Sequence, residues 1–137
     1  MSFLGKVKKK LRNGSWYPFY NTFYEKNNLD PHMILLESRS GKALESNILS
    51  LLKELCQEPY RSFTLVLSVH RDSENEIKEK LQKNSIQGVH FVRTGSVAYY
   101  HALSRAGYLV NDTSFPGRFI KKEGQIYLNT WHGTPLK

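Results

Sequence analysis

The stretch FTLVLSVHRDSENEIKEKLQKNSIQGVHFVRTGS, residues 63–96, decides the fold class. It opens with an apolar, β-branched run (63–70) and closes with a second apolar run (88–96). Between them lies a charged segment in which Ile77 and Leu81 recur at helical spacing. Apolar runs without polar alternation are typical of strands buried on both faces, and a helix between two such strands is the repeating unit of a parallel sheet.

The same alternation continues on both sides of this stretch. The sequence predicts further strands at 32–38, 107–112 and 124–132, and helices at 44–55 and 97–106. Strands alternating with helices at this spacing predict an α/β fold, a Rossmann-like parallel sheet with helices on both faces. We therefore expect residues 29–137 to form one such domain.

Polar residues follow each predicted strand, and they are the candidates for a binding site. The carboxyl ends of parallel strands meet at one edge of the sheet, which is where ligands bind in this class of fold. The polar clusters are Glu37–Lys42, His70–Asp72, Arg93–Ser96, Asn111–Ser114 and Thr130–Thr134. Within them, the residues that we expect to contact a phosphate or an acceptor are Ser40, Gly41, Lys42, Arg71, Thr94, Ser96, Asp112, Thr130, Gly133 and Thr134.

Some of these residues also have simpler interpretations. Ser40-Gly41-Lys42 could hold a phosphate through backbone N–H groups and a helix N-terminus, or it could be an ordinary turn. It is not a Walker A loop, because the upstream glycine is missing and Ala43 stands where Ser or Thr belongs. Arg71 could bind a phosphate, and surface ion pairs explain it equally well.

His132 is the candidate catalytic residue, because it stands at the end of the last predicted strand. Gly133 would let a substrate approach closely, and an imidazole with a pKa near ~6.5 can take a proton from a hydroxyl at neutral pH. The alternative is a strand-end histidine with local hydrogen bonds. The five histidines show no metal-ligand spacing and the chain has no G-x-G-x-x-G fingerprint, so we expect no metal and no dinucleotide cofactor.

Residues 1–28 form a basic and aromatic arm that differs from the rest of the chain. The formal net charge is +8, and five lysines and arginines precede the first acidic residue. Wound as a helix, residues 1–12 separate apolar from basic side chains, as in helices that lie on an anionic membrane surface. The expected membrane contacts are Phe3, Leu4, Lys6, Val7, Lys9, Lys10, Leu11, Arg12 and Trp16.

Alternatives for the arm remain open. The aromatic residues within 16–24 could sit at the membrane, or they could pack against the domain or against a second lobe. The lysines could be a solvated face or a nucleic-acid arm, but no RRM, KH or helix-turn-helix pattern supports a nucleic-acid partner. No apolar run approaches the ~20 residues of a membrane span. With one cysteine, Cys56, in a helical apolar pattern, we expect a buried thiol and a protein on the cytoplasmic side of the membrane.

Three motifs together carry a resemblance to a known family. They are LLESRSGKALESN (35–47), VRTGSVAYYHALSRAGYLV (92–110) and TWHGTPLK (130–137). In this order the chain resembles the CDP-glycerol:glycerophosphotransferases, which build the polyol-phosphate chains of teichoic acids. The resemblance implies a GT-B enzyme with two Rossmann-like lobes, no metal requirement and a peripheral place on the inner leaflet. It also implies that His132 deprotonates the hydroxyl of a lipid-linked acceptor, which then attacks the β-phosphate of CDP-glycerol or CDP-ribitol and releases CMP.

The resemblance sets further expectations about partners. The family's second lobe, which carries most contacts to the CDP moiety, does not occur in these 137 residues. We therefore expect the chain to bind a lipid-linked acceptor or an anionic membrane without turning over CDP-glycerol alone, and to be able to form homo-oligomers. Two alternatives are a non-catalytic module that binds lipid-linked polymer or a partner enzyme, and another sugar-transferring GT-B enzyme.

Overall fold

The computed structural model describes residues 28–115 and 121–130. The predicted arm, except Asn28, lies outside these residues, and so does the end of the chain from Trp131 onward. The elements alternate as follows: β1 (Asp30–Glu37), α1 (Ser46–Leu55), β2 (Thr64–Val69), α2 (Glu74–Lys83), β3 (His90–Arg93), α3 (Val97–Arg105), β4 (Ala106–Asn111) and β5 (Ile126–Asn129).

The strands form one sheet in the order β3-β2-β1-β4-β5, and every neighbouring pair is parallel. The chain moves outward from β1 to β3, and then returns to the other side of β1 as β4. Because such crossovers are right-handed, this reversal puts α1 and α2 on one face of the sheet and α3 on the other. The predicted Rossmann-like α/β fold is confirmed.

Each face of the sheet has its own apolar core. Ile48 and Leu52 of α1 and Ile77 and Leu81 of α2 pack against side chains that include Leu36 of β1. On the opposite face, α3 packs its buried side chains against residues that include Leu35 and Leu109. Leu35 and Leu36 are both fully buried, although they point to opposite faces. This double burial explains why β1 reads as a continuous apolar run.

Several element boundaries differ from the sequence predictions by one to three residues. Helix α1 begins at Ser46, so a loop separates it from the Ser40-Gly41-Lys42 turn. Leu44 fits the helical spacing, but it enters the core from this loop. Of the two interpretations of this turn, the one at a helix N-terminus does not apply to α1, and a contact with phosphate stays a prediction. Strand β3 is only His90–Arg93, and all four of its residues pair with β2.

Cys56 follows the last residue of α1 and is only partly buried. Its thiol lies 3.8 Å from the carbonyl oxygen of Gln87, and burial raises the pKa of the thiol. The burial of Cys56 is thus only partial, whereas the sequence predicts a buried thiol. Within the described ranges, no helix combines the length and the apolar character that crossing a membrane requires.

Candidate active site at the carboxyl edge of the sheet

A buried carboxyl group lies at the centre of the carboxyl edge. Glu37, the last residue of β1, is only 1% exposed. In the sheet register it stands opposite Ser68 of β2 and Asn111 of β4. The Ser68 hydroxyl donates to Glu37 Oε1 over 3.0 Å, and the Asn111 amide donates to Glu37 Oε2 over 3.0 Å. One side chain therefore joins the ends of three neighbouring strands.

The two partners of Glu37 extend these contacts into the loops. The Ser68 hydroxyl lies 2.7 Å from the hydroxyl of Thr94, which follows β3. Asn111 accepts hydrogen bonds from both the backbone N–H and the hydroxyl of Thr113. The position of each loop that follows β3 and β4 is thus linked to the carboxyl group of Glu37.

Asp112 holds the loop that follows β1. Its carboxylate is fully buried and accepts hydrogen bonds from the Ser38 hydroxyl over 2.7 Å and from the Arg39 N–H over 2.7 Å. The same Ser38 hydroxyl accepts from the N–H of Glu45, one residue before α1. The predicted binding residue Asp112 therefore has two protein partners, and a role in binding stays a prediction. We name Glu37, Ser38, Ser68, Thr94, Asn111 and Asp112 the edge network.

Gly41 fills the space between the ends of β1 and β2. Its carbonyl accepts from the His70 N–H over 2.7 Å, and its φ is +82°. A Cβ at this position would overlap the Thr94 hydroxyl and lie 2.8 Å from the His70 nitrogen. The N–H groups of Gly41 and Lys42 bond to the carbonyls of Ser38 and Arg39, so neither is directed at a ligand.

The edge network contains a carboxyl group that is hard to ionise. Removal from water raises the pKa of Glu37 above its usual value, while the hydrogen bonds that it accepts act in the opposite direction. Tyr99 of α3 is fully buried, and burial together with the Glu37 charge raises the pKa of its phenol. Its hydroxyl makes no well-aligned hydrogen bond within the described part of the chain. Tyr99 is nevertheless close enough to Glu37 for each group to influence the ionisation of the other.

Several predicted binding residues lie on the outside of this edge. Ser40 and Lys42 are exposed in the turn after β1, and Arg71 is exposed in the turn after β2. Arg71 lies 3.9 Å from Asp72, as the ion-pair interpretation expects. Ser96 caps α3, because its hydroxyl accepts from the Tyr99 N–H. None of these positions by itself tests a contact with phosphate, which stays a prediction.

Thr130 marks the place where the chain leaves the described residues. Its N–H donates to the carbonyl of Asn111 over 2.9 Å, and its carbonyl lies 3.5 Å from the side-chain nitrogen of Asn47 in the first turn of α1. Thr130 therefore lies at the carboxyl edge, beside the edge network. The remaining predicted residues of this cluster, His132, Gly133 and Thr134, lie outside the described residues.

Sequence reasoning missed the centre of the site. Glu37 and Asn111 fall in the polar clusters at the predicted edge, but the sequence pattern gives them no specific role. Ser68 lies within a predicted apolar strand, and no motif distinguishes Tyr99. The available signal was an acidic residue directly after the apolar run MILL, because a carboxyl group at such a position needs hydrogen-bond donors from its neighbours.

The described part of the carboxyl edge offers no cluster of metal-binding side chains. Among residues 28–115 and 121–130, no group of three or more His, Cys, Asp or Glu side chains could hold a metal ion. The edge instead combines hydroxyls, amides and two buried carboxyl groups with exposed cations around them.

Comparison with known proteins decides the family. Residues 19–137 match the family described as CDP-Glycerol:Poly(glycerophosphate) glycerophosphotransferase. The chain belongs to this family. The resemblance expected from the three sequence motifs is therefore confirmed for the glycerophosphotransferases, and the match includes both the edge network and the TWHGTPLK motif.

Relatives of known function agree with this assignment. The teichoic acid poly(glycerol phosphate) polymerase of Staphylococcus epidermidis is 31% identical over 118 residues, which are 86% of this chain and 15% of the relative. The teichoic acid glycerol-phosphate transferase of Staphylococcus aureus is 26% identical over 96% of this chain and 32% of the relative. The solved wall teichoic acid polymerase TagF is similar over all of this chain and 33% of its own, with 27% identity and a TM-score of 0.69. The chain thus spans about a third or less of these glycerophosphotransferases.

The Gly41 contacts predict a position-specific loss of stability. Gly41→Ala should lower the free energy of unfolding by more than about 2 kcal/mol, because both the positive φ and the contact with Thr94 oppose a methyl group. Gly95 is the matched control, since its φ is also +82° but nothing lies within 4 Å of an added Cβ. Gly95→Ala should cost only about 1 kcal/mol. Urea unfolding of both variants measures the difference, and equal losses would contradict the contact.

The raised pKa of Glu37 predicts the sign of a pH effect. Its contribution to stability is fully present below the usual value of 4.5 and is lost as the pH rises through the raised pKa of the folded state. The stability of the wild type relative to Glu37→Gln should therefore fall as the pH rises above about 4.5. Urea unfolding of the wild type and of Glu37→Gln, at pH values from about 4 to about 8, measures this trend.

Glu74 provides a control of opposite sign. The hydrogen bond and charge of Lys78 lower the pKa of Glu74, so its contribution is present above the usual value and is lost as the pH falls. The wild type should lose stability relative to Glu74→Gln toward acid pH. A trend of the same sign in both pairs would contradict the assignment for Glu37.

Proposed function

We propose that this chain is the acceptor-side lobe of an enzyme that transfers glycerol phosphate, or ribitol phosphate, from a CDP-polyol to a lipid-linked teichoic acid or capsule acceptor. The family match over residues 19–137 carries the proposal. A GT-B architecture would place a second Rossmann-like lobe across a cleft from the carboxyl edge, and that lobe would hold the CDP moiety. The exposed Lys42 and Arg71 would then face the phosphates of the acceptor.

His132 is the general base of the proposed reaction. It follows Thr130 by two residues, so chain length keeps it within about 7 Å of the carboxyl edge. The imidazole takes the proton from the acceptor hydroxyl, and the hydroxyl oxygen forms a bond to the β-phosphorus of the CDP-polyol. The bond from that phosphorus to the bridging oxygen breaks, and CMP leaves with the electron pair.

The reading frame beyond Lys137 separates this function from a second candidate. The chain spans 15% to 32% of its curated relatives, and this short coverage also fits a non-catalytic module that binds lipid-linked polymer or a partner enzyme. A following α/β lobe with phosphate-binding residues would favour the enzyme, and a stop codon would favour the module. In either case, the purified 137-residue chain should release no CMP from CDP-glycerol.

Substitution of His132 tests the catalytic role where the frame encodes a second lobe. His132→Ala should lower the rate of CMP release by about 10²–10⁴-fold, because the acceptor hydroxyl then loses its base. The Michaelis constant for the CDP-polyol should change little, since His132 acts on the acceptor. His90→Ala is the matched control, because His90 is exposed on the edge strand β3. A His132→Ala enzyme as active as this control would refute the role.

The basic arm is proposed to hold the lobe on the cytoplasmic side of the membrane. Each lysine or arginine near an anionic leaflet contributes roughly 1 kcal/mol, so deleting residues 1–14 should lower vesicle binding by about a hundredfold or more. Sedimentation with phosphatidylglycerol vesicles at low and high salt measures this, with phosphatidylcholine vesicles as the control. Binding that is equal with and without residues 1–14 would rule out the arm as the membrane anchor.

A further inference from the structure

An open apolar groove runs along the face of the sheet that carries α1. Its volume is about 430 Å³, and its lining includes Leu51 and Leu55 of α1, Tyr108 of β4 and Ile126 and Leu128 of β5. Ile126 is 57% exposed and Leu128 is 51% exposed, and they are the large exposed apolar side chains of the described residues. Residues 126 and 128 lie on the same face of the strand, and an exposed apolar patch of this kind indicates a surface that packs against another segment or partner.

The topology explains why this part of the face is open. Helices α1 and α2 belong to the crossovers that lead away from β1 toward β3, so they cover that half of the sheet. Helix α3 returns on the opposite face, where Tyr127 of β5 packs with Phe115. No helix among the described residues therefore covers β4 and β5 on the α1 face.

The amino-terminal end of the described chain lies beside this groove. The Leu29 side chain comes within 3.2 Å of where a Cβ on Gly124 would lie, just before β5. A smaller pocket of about 280 Å³ includes Leu29 in its lining and shares Tyr108 and Ile126 with the groove. Residues that precede Leu29 along the chain are therefore close to the open face.

We propose that residues 19–24 of this same chain fill the groove over β4 and β5. Their sequence, FYNTFY, supplies four aromatic rings at positions 19, 20, 23 and 24, and on a helix the i, i+4 pairs 19/23 and 20/24 would be neighbours. The four residues 25–28 span up to about 14 Å when extended, which is enough to reach from Leu29 along the groove. Burial of these rings removes Ile126 and Leu128 from water in the same step.

Other occupants fit the groove less well. A lipid with an anionic headgroup needs cations, and the described residues that line the groove include no lysine or arginine. A second copy of the chain needs roughly 1,000 Å² or more of total buried surface, and a groove of this size with two exposed apolar residues offers only a small part of that. The family match gives independent support, because it begins at Phe19 and so includes the segment but not the basic residues 6–12.

The proposal separates the two parts of the amino-terminal arm. Residues 19–24 belong to the folded lobe, and the basic residues 6–12 remain available for an anionic membrane. Packing of the aromatic segment would fix the point on the sheet from which the basic segment extends. The lobe would then meet the membrane in a defined orientation, which a freely jointed arm could not provide.

Disulfide trapping in the full chain tests the contact. In a Cys56→Ala background, Ile126→Cys is combined in turn with cysteine substitutions of Phe19, Tyr20, Phe23 and Tyr24, and each pair is oxidised at low protein concentration. At least one pair should form a disulfide within the monomer. The controls are Ile126→Cys with Leu4→Cys, and His90→Cys with Phe23→Cys, which should both stay reduced. Disulfide-linked dimers, or no trapping in any pair, would overturn the proposal.

Thiol labelling gives a second readout that needs no defined pair geometry. In the same background, deletion of residues 1–24 should speed maleimide labelling of Ile126→Cys by roughly tenfold, because the covering segment is gone. Labelling of His90→Cys should not change. An Ile126→Cys rate that does not respond to the deletion, or that slows only when phosphatidylglycerol vesicles are added, would assign the groove to solvent or to the membrane instead.

Discussion

The carboxyl group of Glu37 is the constraint on which the functional edge depends. It is buried between two strands, and the low polarity of that position makes each of its hydrogen bonds necessary. Ser68 and Asn111 supply those bonds from β2 and β4, and through them Glu37 is connected to the loops after β3 and β4. A buried carboxyl group contributes little net stability by itself, but it requires one arrangement of the strand ends. Hydrogen bonds thus join the described strand ends to one another.

A hydrogen-bonded edge of this kind would suit the proposed transfer reaction. Catalytic groups act efficiently when the scaffold holds them in place without further reorganisation. Asp112 fixes the loop before α1, and Thr130 is bonded to the end of β4, two residues before His132. In the proposed enzyme, the base would thus be carried by a short segment with a fixed starting point, and the exposed cations would lie around it.

The two faces of the sheet have different roles. The α3 face is closed over Tyr99, Leu103 and Leu109, and at its carboxyl end it contains Glu37. Among the described residues, the α1 face is closed over β1, β2 and β3 but open over β4 and β5. The proposed function uses the carboxyl edge that both faces share. The proposed packing of residues 19–24 uses the open half of the α1 face, so the two proposals concern separate parts of the lobe.

The sequence by itself determined the order of elements, the parallel sheet and the family. Hydrophobic periodicity is a local property, and motifs such as TWHGTPLK are contiguous, so both can be read without knowledge of the fold. It also indicated that the polar clusters after the strands meet at one edge, because parallel strands leave no other arrangement. Periodicity did not locate the start of α1, since Leu44 packs into the core without belonging to the helix.

Only the tertiary structure decided which polar side chains meet. Glu37 is 31 residues from Ser68 and 74 residues from Asn111, and their contact depends on the register of three strands. The same register gives Asp112 its protein partners and leaves Ile126 and Leu128 exposed on an open face. Strand register is set by pairing and packing across the whole sheet, so it cannot be predicted from a local sequence pattern. The sequence therefore shows which polar residues follow the strands, and the fold determines which of them are in contact.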